Sequence, residues 1–465
     1  MATTIFRAVL LLLLGGAASA SLAAEDDLRS IVKQLSAQVA QLQQQAQAAN
    51  ARIHELEAKL NQDATAPPHP SAAAGSPVAA AEPKREAKPA VTLGDSPGTF
   101  KIPGTDTSVG IGGFVKVDAI YSSISAGSDR LGDQYLIASQ IPIGSGRHGE
   151  HDQTIIHAKD TRFWLTSLTP SPWGNINTYL ELDLRGADAT FNYTPRLRHA
   201  YGSLGPFLAG QTWTTFLNTQ AIPDTLDANG PFGDVLHLRQ PMIRWTQPFH
   251  LGSAALEWQL AAESPRTRLW NASGSGGFFT ANAERYPDLV ARLGYNPSWG
   301  ALSLSAMGRQ IRYTRPVSTD RQERWGGAVS LAGRINTFGL DNIRFMLGYG
   351  DVYARYAAAD TFEDGVLDPS GRLRLVTAYS GMLAYQHWWN KAWRSTLAYG
   401  FVGADQPSLV HGDLTRQAQS AHLNLLWSPT LQTTFGLEYT YGLRDRIDGR
   451  SGDLHRVQFS TRFNF

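Results

Sequence analysis

Val457, Phe459, Thr461, Phe463 and Phe465 alternate with Arg456, Gln458, Ser460, Arg462 and Asn464 at the end of the chain. A two-residue period of this kind predicts a strand with one apolar face. The same pattern runs through TTFGLEYTYGL, where Phe435, Leu437, Tyr439 and Tyr441 oppose Thr434, Gly436, Glu438 and Thr440. It recurs in INTYLELDL, where Ile176, Thr178, Leu180, Leu182 and Leu184 oppose Asn177, Tyr179, Glu181 and Asp183. From residue 98 to 465 it predicts sixteen strands, starting near residues 109, 159, 174, 196, 206, 235, 254, 287, 300, 323, 341, 371, 392, 415, 431 and 453. No convincing amphipathic helix interrupts them.

The connections carry more information than the strands. Short turns (SPWGN, SLGPF, TQPFHLGSA, NPSWGA, INTFGLDN, WWNKAW, SPTLQ) alternate with longer polar segments near 125–158, 186–195, 214–234, 264–286, 313–322, 355–370, 404–414 and 444–452. A sandwich or propeller has no reason to keep such a rule. An up-and-down barrel crossing a bilayer does, with short periplasmic turns and long external loops. The predicted fold class is therefore an all-β transmembrane barrel of sixteen antiparallel strands. It must close on itself, because lipid satisfies no free backbone edge. Trp258, Trp388, Trp389, Trp393 and Trp427 sit at or near strand ends as girdle residues, whereas Trp164 falls in phase with Arg162 and points inward.

Ahead of the barrel, apolar or small residues recur at Leu28, Val32, Leu35, Val39, Leu42, Ala46, Ala49, Ile53, Leu56 and Leu60. Spacings of four and three predict an α-helical coiled coil over 25–62. Val at a with Leu at d favours two strands, and Ala46 and Ala49 weaken the seam. Residues 63–97 turn to Ala, Pro, Ser and charge, the composition of a disordered linker. Lys84, Arg85 and Lys88 within it put peptidoglycan within reach as a partner. Residues 1–20 read as a signal peptide, with Arg7 before Leu10–Leu14 and cleavage after Ala20 or as late as residue 24. An even strand number leaves both barrel ends on the periplasmic side, with the coiled coil.

Composition then narrows the function. With no cysteine among 465 residues, disulfides, thiol nucleophiles and Cys-based metal sites are excluded. A net charge of +1 gives no general pull toward nucleic acid. Sixteen strands enclose too wide a lumen for side chains to fill, so a water-filled diffusion channel is expected.

The inward phase is rich in arginine. Arg162, Arg185, Arg196, Arg198, Arg239, Arg244, Arg372 and Arg374 are the candidate pore-lining residues, and the inward carboxylates are fewer. Because arginine stays charged and forks onto carboxylates, the pore is expected to prefer anions. Arg196, Arg198, Arg239 and Arg244 flank the third long loop, IPDTLDANGPFGD. That loop is expected to fold inward as a constriction, with Asp224, Asp227 and Phe232 facing a basic wall across a transverse field.

IPGTDTSVGIGGFVKVDAIY, LRHAYGSLGPFLAGQTWTTF and IPDTLDANGPFGDVLHLRQPMIRW, together with the preceding coiled coil, resemble the DcaP-like outer-membrane porins. The resemblance implies homotrimers of sixteen-stranded barrels that take up small anionic solutes, dicarboxylates above all, and a basic constriction at Arg196, Arg198, Arg239 and Arg244. It also implies a bacterial outer-membrane location among lipid and lipopolysaccharide. The C-terminal Phe465 resembles the signal read by the barrel-assembly machinery.

Two other classes compete. A barrel enzyme needs a nucleophile, a base and an acid brought together. His199, His237, His250, His422 and His455 are scattered, and Gly94-Asp95-Ser96 lies in the linker, so no enzyme and no cofactor is expected. The alternative is a structural tether with a plugged barrel. Asp360, Glu363, Asp364 and Asp368 read as a solvated acidic loop rather than a metal site.

Overall fold

The computed structural model describes residues 92–124, 136–143, 151–186, 192–233, 238–272, 276–281, 283–314, 321–357 and 361–465. The signal peptide, the coiled coil and the linker up to residue 91 lie outside the described residues. Sixteen antiparallel strands, each bonded to its neighbour in sequence, form the wall. They are β1 (Ser108–Ile124), β2 (His151–His157 and Arg162–Thr169), β3 (Ile176–Asp183), β4 (Arg196–Leu204), β5 (Phe207–Trp213), β6 (Arg239–Leu251), β7 (Ala254–Glu263) and β8 (Asp288–Tyr295). The second half comprises β9 (Gly300–Thr314), β10 (Arg321–Asn336), β11 (Asn342–Asp351), β12 (Thr377–Trp388), β13 (Trp393–Asp405), β14 (Thr415–Trp427), β15 (Thr433–Arg446) and β16 (Ser451–Asn464). Closure is made by β16 on β1, in register from Arg456↔Ser122 to Asn464↔Phe114. The first residues differ from the predicted linker: Thr92–Leu93 pairs with Phe100–Lys101, and Thr99–Lys101 with Ser108–Gly110.

Side-chain phase follows the two-solvent rule. On β16, Val457, Phe459 and Phe463 are exposed while Arg456, Gln458 and Ser460 are buried. Gly113 and Phe465 exchange both backbone bonds, at 3.2 and 3.1 Å, so the last residue is paired into the ladder. Aromatic rings line the outer rim near the short turns, with Trp393 and Trp427 stacked at 5.6 Å and Phe435 next at 5.5 Å. Trp164 packs inside against Phe114 at 6.4 Å, and the bare backbone of Gly112 makes room for its ring.

Seven connections are short, from two to six residues: 170–175, 205–206, 252–253, 296–299, 337–341, 389–392 and 428–432. The opposite end carries the long ones, with two exceptions. β9 and β10 are joined by 315–320 and β15 and β16 by 447–450. At 15 and 16 residues, β9 and β10 exceed the roughly 9–11 that span a bilayer, so their hairpin reaches the loop region as strand. The strand predicted from residue 371 begins at Thr377 instead. Residues 373–375 belong to a separate four-stranded sheet formed with 365–367, 268–271 and 277–280.

The interior is narrower than sixteen strands alone dictate, because three long loops fold into it. Loop L3 (214–238) contributes Phe216, Leu217, Ala221 and Phe232 to a buried apolar cluster. L6 (352–376) adds Tyr353, Tyr356 and Phe362, and L1 (125–150) adds Leu136 and Ile141. Phe216 meets Tyr353 at a tilt, 5.9 Å between ring centres, and Tyr356 edge-on at 5.5 Å.

Candidate pore constriction

One side of the lumen is the inner face of β2 to β8. The register sets Asp183 opposite both Arg162 and Arg196. Arg196 grips Asp183 through Nε and Nη2 at 3.0 and 2.7 Å. A bulge at Glu181/Leu182 turns both Arg198 and His199 inward, which a strict alternation would separate. Arg198 donates to Glu181 at 2.5 Å and to Asp183 at 2.8 Å. Arg162 adds a third guanidinium, 3.6 Å from Glu181. His199 Nδ1 lies 3.0 Å from the Thr212 hydroxyl, a structural bond.

Further along, the counter-charges run out. Arg239 lies 4.6 Å over the ring of Trp213, the ring that Arg198 faces at 5.8 Å. Neither Arg239 nor Arg244 forms an ion pair with a described residue, and Arg239 Nη1 and Arg244 Nε are buried without a hydrogen-bond partner. Arg292, on β8, stands 4.0 Å from Glu257 and donates to the Leu217 carbonyl of L3 at 2.7 Å. Six guanidiniums (Arg162, Arg196, Arg198, Arg239, Arg244, Arg292) thus share three ion-paired carboxylates (Glu181, Asp183, Glu257), and the fourth, Glu263, acts on Arg244 only at a distance because its oxygens are taken by Thr214, Thr215 and Gln240. Sequence reasoning missed Arg292, although it shares the inward phase of buried Asp288 and Val290.

L3 folds inward, but its described acids, Asp224 and Asp227, do not face this wall. Asp227 is buried and accepts from Arg456 of β16 at 3.2 Å and from the Leu136 amide at 2.9 Å. Phe232 is buried too, its amide donating to Ser420 of β14 at 2.9 Å. Glu438 accepts from the amides of Leu226 and Asp227 at 2.7 and 3.2 Å. Asp224, the most accessible, pairs with Arg394 of β13 at 2.7 Å. The physical reason is the unpaired backbone of a loop laid across a lumen: its amides need acceptors, and the wall supplies them. Asp224 and Asp227 are therefore anchored on the side away from the arginine wall.

Three further expected pore residues are placed elsewhere. Arg185 is buried and bonded to Asp160 through Nε and Nη2 at 2.6 and 2.9 Å. Arg372 and Arg374 lie in L6, Arg374 within 3.7 Å of Asp368, and neither is on a barrel strand. The acidic stretch of L6 is not solvated: Glu363, Asp364 and Asp368 are buried, Asp364 bonded to Arg309 at 2.9 Å. Asp360 lies outside the described residues.

Two clusters invite a chemical reading. Asp118, His157 and Asp160 hold ligand atoms within 4.8 Å of one another at the break in β2. Lys116 and Arg185 stand against the two carboxylates, so the group is already balanced and offers little to a cation. Ser420, His422 and Glu438 line up as hydroxyl, imidazole and carboxylate at 3.3 and 3.2 Å, a juxtaposition not evident from scattered histidines. All three are sealed beneath L3, with Phe232 donating to the hydroxyl and Leu226 to the carboxylate. They anchor the loop.

Residues 96–465 match the family described as DcaP outer membrane protein. No curated protein matches the chain. Among solved structures, the outer membrane channel DcaP of Acinetobacter baumannii superposes with a TM-score of 0.66 at 22% identity, covering 80% of this chain and 100% of that one. The anion-selective porin from Comamonas acidovorans matches at a TM-score of 0.47 and 13% identity, covering 77% of this chain and 100% of the other. For Salmonella typhi OmpF in complex with daunomycin the values are 0.48 and 7%, with coverage of 77% and 98%. At these identities the likeness is one of fold.

Proposed function

The chain belongs to the DcaP outer-membrane protein family, and from that premise we propose that it is a passive channel preferring small anions, dicarboxylates among them, and works as a homotrimer. One observation carries the reading: Arg239 and Arg244 face the lumen without an ion-paired carboxylate among the described residues, while Asp224 and Asp227 of L3 are paired with Arg394 and Arg456 on the opposite wall. In a lumen with low-dielectric walls, such fixed charges raise the local concentration of counter-ions and exclude co-ions. Matched pairs such as Arg196–Asp183 shape the wall, and the unmatched arginines set its sign. A solute with two carboxylates suits spaced guanidiniums that bind each group bidentately.

The channel reading is favoured over an enzyme because the hydroxyl–imidazole–carboxylate row seen among the described residues is closed off by the constriction loop. Liposome swelling with an anion, a neutral molecule and a cation of similar size tests the proposal. The anion is expected to enter fastest; fastest entry of the cation would refute it.

A further inference from the structure

A second basic site lies at the short-turn mouth. It is a cavity of about 890 Å³ bounded by Arg334, Arg344, Lys391 and Arg394, with Asp224 as its single carboxylate. Leu340, Ala392 and Ser428–Leu431, from the short connections, complete its rim.

How these arginines are held separates them from the structural ones. Where this protein buries an arginine for stability, it supplies carboxylates: Arg185 has Asp160, Arg309 has Asp288 and Asp364, and Arg456 has Asp227. In the cavity, neutral groups hold Arg334 and Arg344, and only Arg394 has a carboxylate, Asp224. Arg334 donates through Nε and Nη2 to the Asn336 amide oxygen at 3.0 and 2.9 Å. Arg344 is held by Asn342 at 2.9 Å, by Gln386 at 3.3 Å and by the Ile222 carbonyl. Arg394 takes Ser428 at 2.9 Å, packs 5.2 Å from Trp388, and shares Asp224. Such partners orient a guanidinium and leave its charge available. Arg334 and Arg344 also stand directly opposite each other on β10 and β11. Like charges in that register destabilise a sheet unless something negative lies between them.

We infer that this cavity is a binding station for multivalent oxyanions at the short-turn mouth, separate from the β2–β8 wall. One anionic group takes the place of Asp224 on Arg394, and a second is shared by Arg334 and Arg344. Lys391 at the rim draws the ligand in. Carboxylate and phosphate groups present the same oxygen chemistry to these donors, so the site selects for number of charges rather than for one headgroup. Asp224 acts as a resident competitor that keeps occupancy reversible. The inference builds on the anion-channel reading but reads out by equilibrium binding.

The test is calorimetric titration of the purified, detergent-solubilised protein with pyrophosphate, with succinate as the carboxylate arm and chloride as the monovalent one. Both multivalent anions are expected to bind and chloride to give no saturable signal. R334Q is expected to weaken pyrophosphate about fivefold, and D224N to tighten it by a similar factor, the range of single partly exposed charge contacts. Opposite directions from two variants cannot arise from misfolding. The inference is overturned if wild type does not titrate, if the two variants shift the same way, or if R239Q abolishes binding that R334Q leaves intact. That last result would move the anion to the constriction wall, and the channel proposal would stand.

Discussion

Arginine plays two roles here, and the partner decides which. Arg185 is locked on Asp160 in a buried pair. Arg185→Ala should therefore cost about 3 kcal/mol, because it leaves the buried Asp160 with only Lys116, 3.5 Å away and shared with Asp118. It should leave ion selectivity unchanged; a lower melting temperature by circular dichroism with an unaltered reversal potential would check both. Glu363 offers a different residue-scale test. Burial pushes its carboxyl up to about 7, with the Gln406 hydrogen bond and Arg268 opposing. The folded loop then holds a proton that an opened loop releases near 4.5, so the stability of L6 is full below that pH and falls as pH rises toward 7. Hydrogen exchange over residues 361–376, corrected for intrinsic rate, should show more opening at pH 8 than at pH 5. Glu363→Gln should flatten the difference.

At the scale of elements, the wall was legible and the loops were not. Lipid on one side and water on the other impose a period of two on every spanning residue, so the strands could be read with starts within about four residues, except β2, which begins at His151 inside the segment expected as loop, and β12, which begins at Thr377. Arg244 emerged from that period as inward, in phase with buried Gln240 and Met242, whereas Arg239, the first residue of β6, falls out of that phase and is placed by its packing over Trp213. Nothing of the kind constrains L3. Its Asp224 and Asp227 look like lumen acids in sequence, and ion pairs with Arg394 and Arg456, with the loop backbone bonded to Glu438 and Asn424, turn them toward β13 and β16. The bulge that buries Arg198, and the pairing of 268–271 with 365–367, escape any local pattern for the same reason. Gly400 tests the placement of the loop. A Cβ there would lie 1.8 Å from the Phe232 carbonyl oxygen, so Gly400→Ala should push L3 off the wall. The altered loop should change single-channel conductance in planar bilayers, while far-ultraviolet circular dichroism stays that of a barrel. Unchanged conductance would show that the loop does not set the narrowest point.

At the scale of the whole barrel, a closed cylinder carries apolar side chains outside, arginine within, and a loop whose Asp224 and Asp227 are spent on anchoring. Crosslinking of the mature protein should give trimers; dimers alone would favour the two-stranded preference of the predicted coiled coil over the proposed assembly. The central claim is that unmatched arginines govern which ions pass. Reversal potential under a salt gradient across a planar bilayer tests it most directly. Wild-type channels should show the sign of anion selectivity, and Arg239→Ala combined with Arg244→Ala should bring the potential toward zero. A cation-selective wild type, or a double variant indistinguishable from it, would contradict the account.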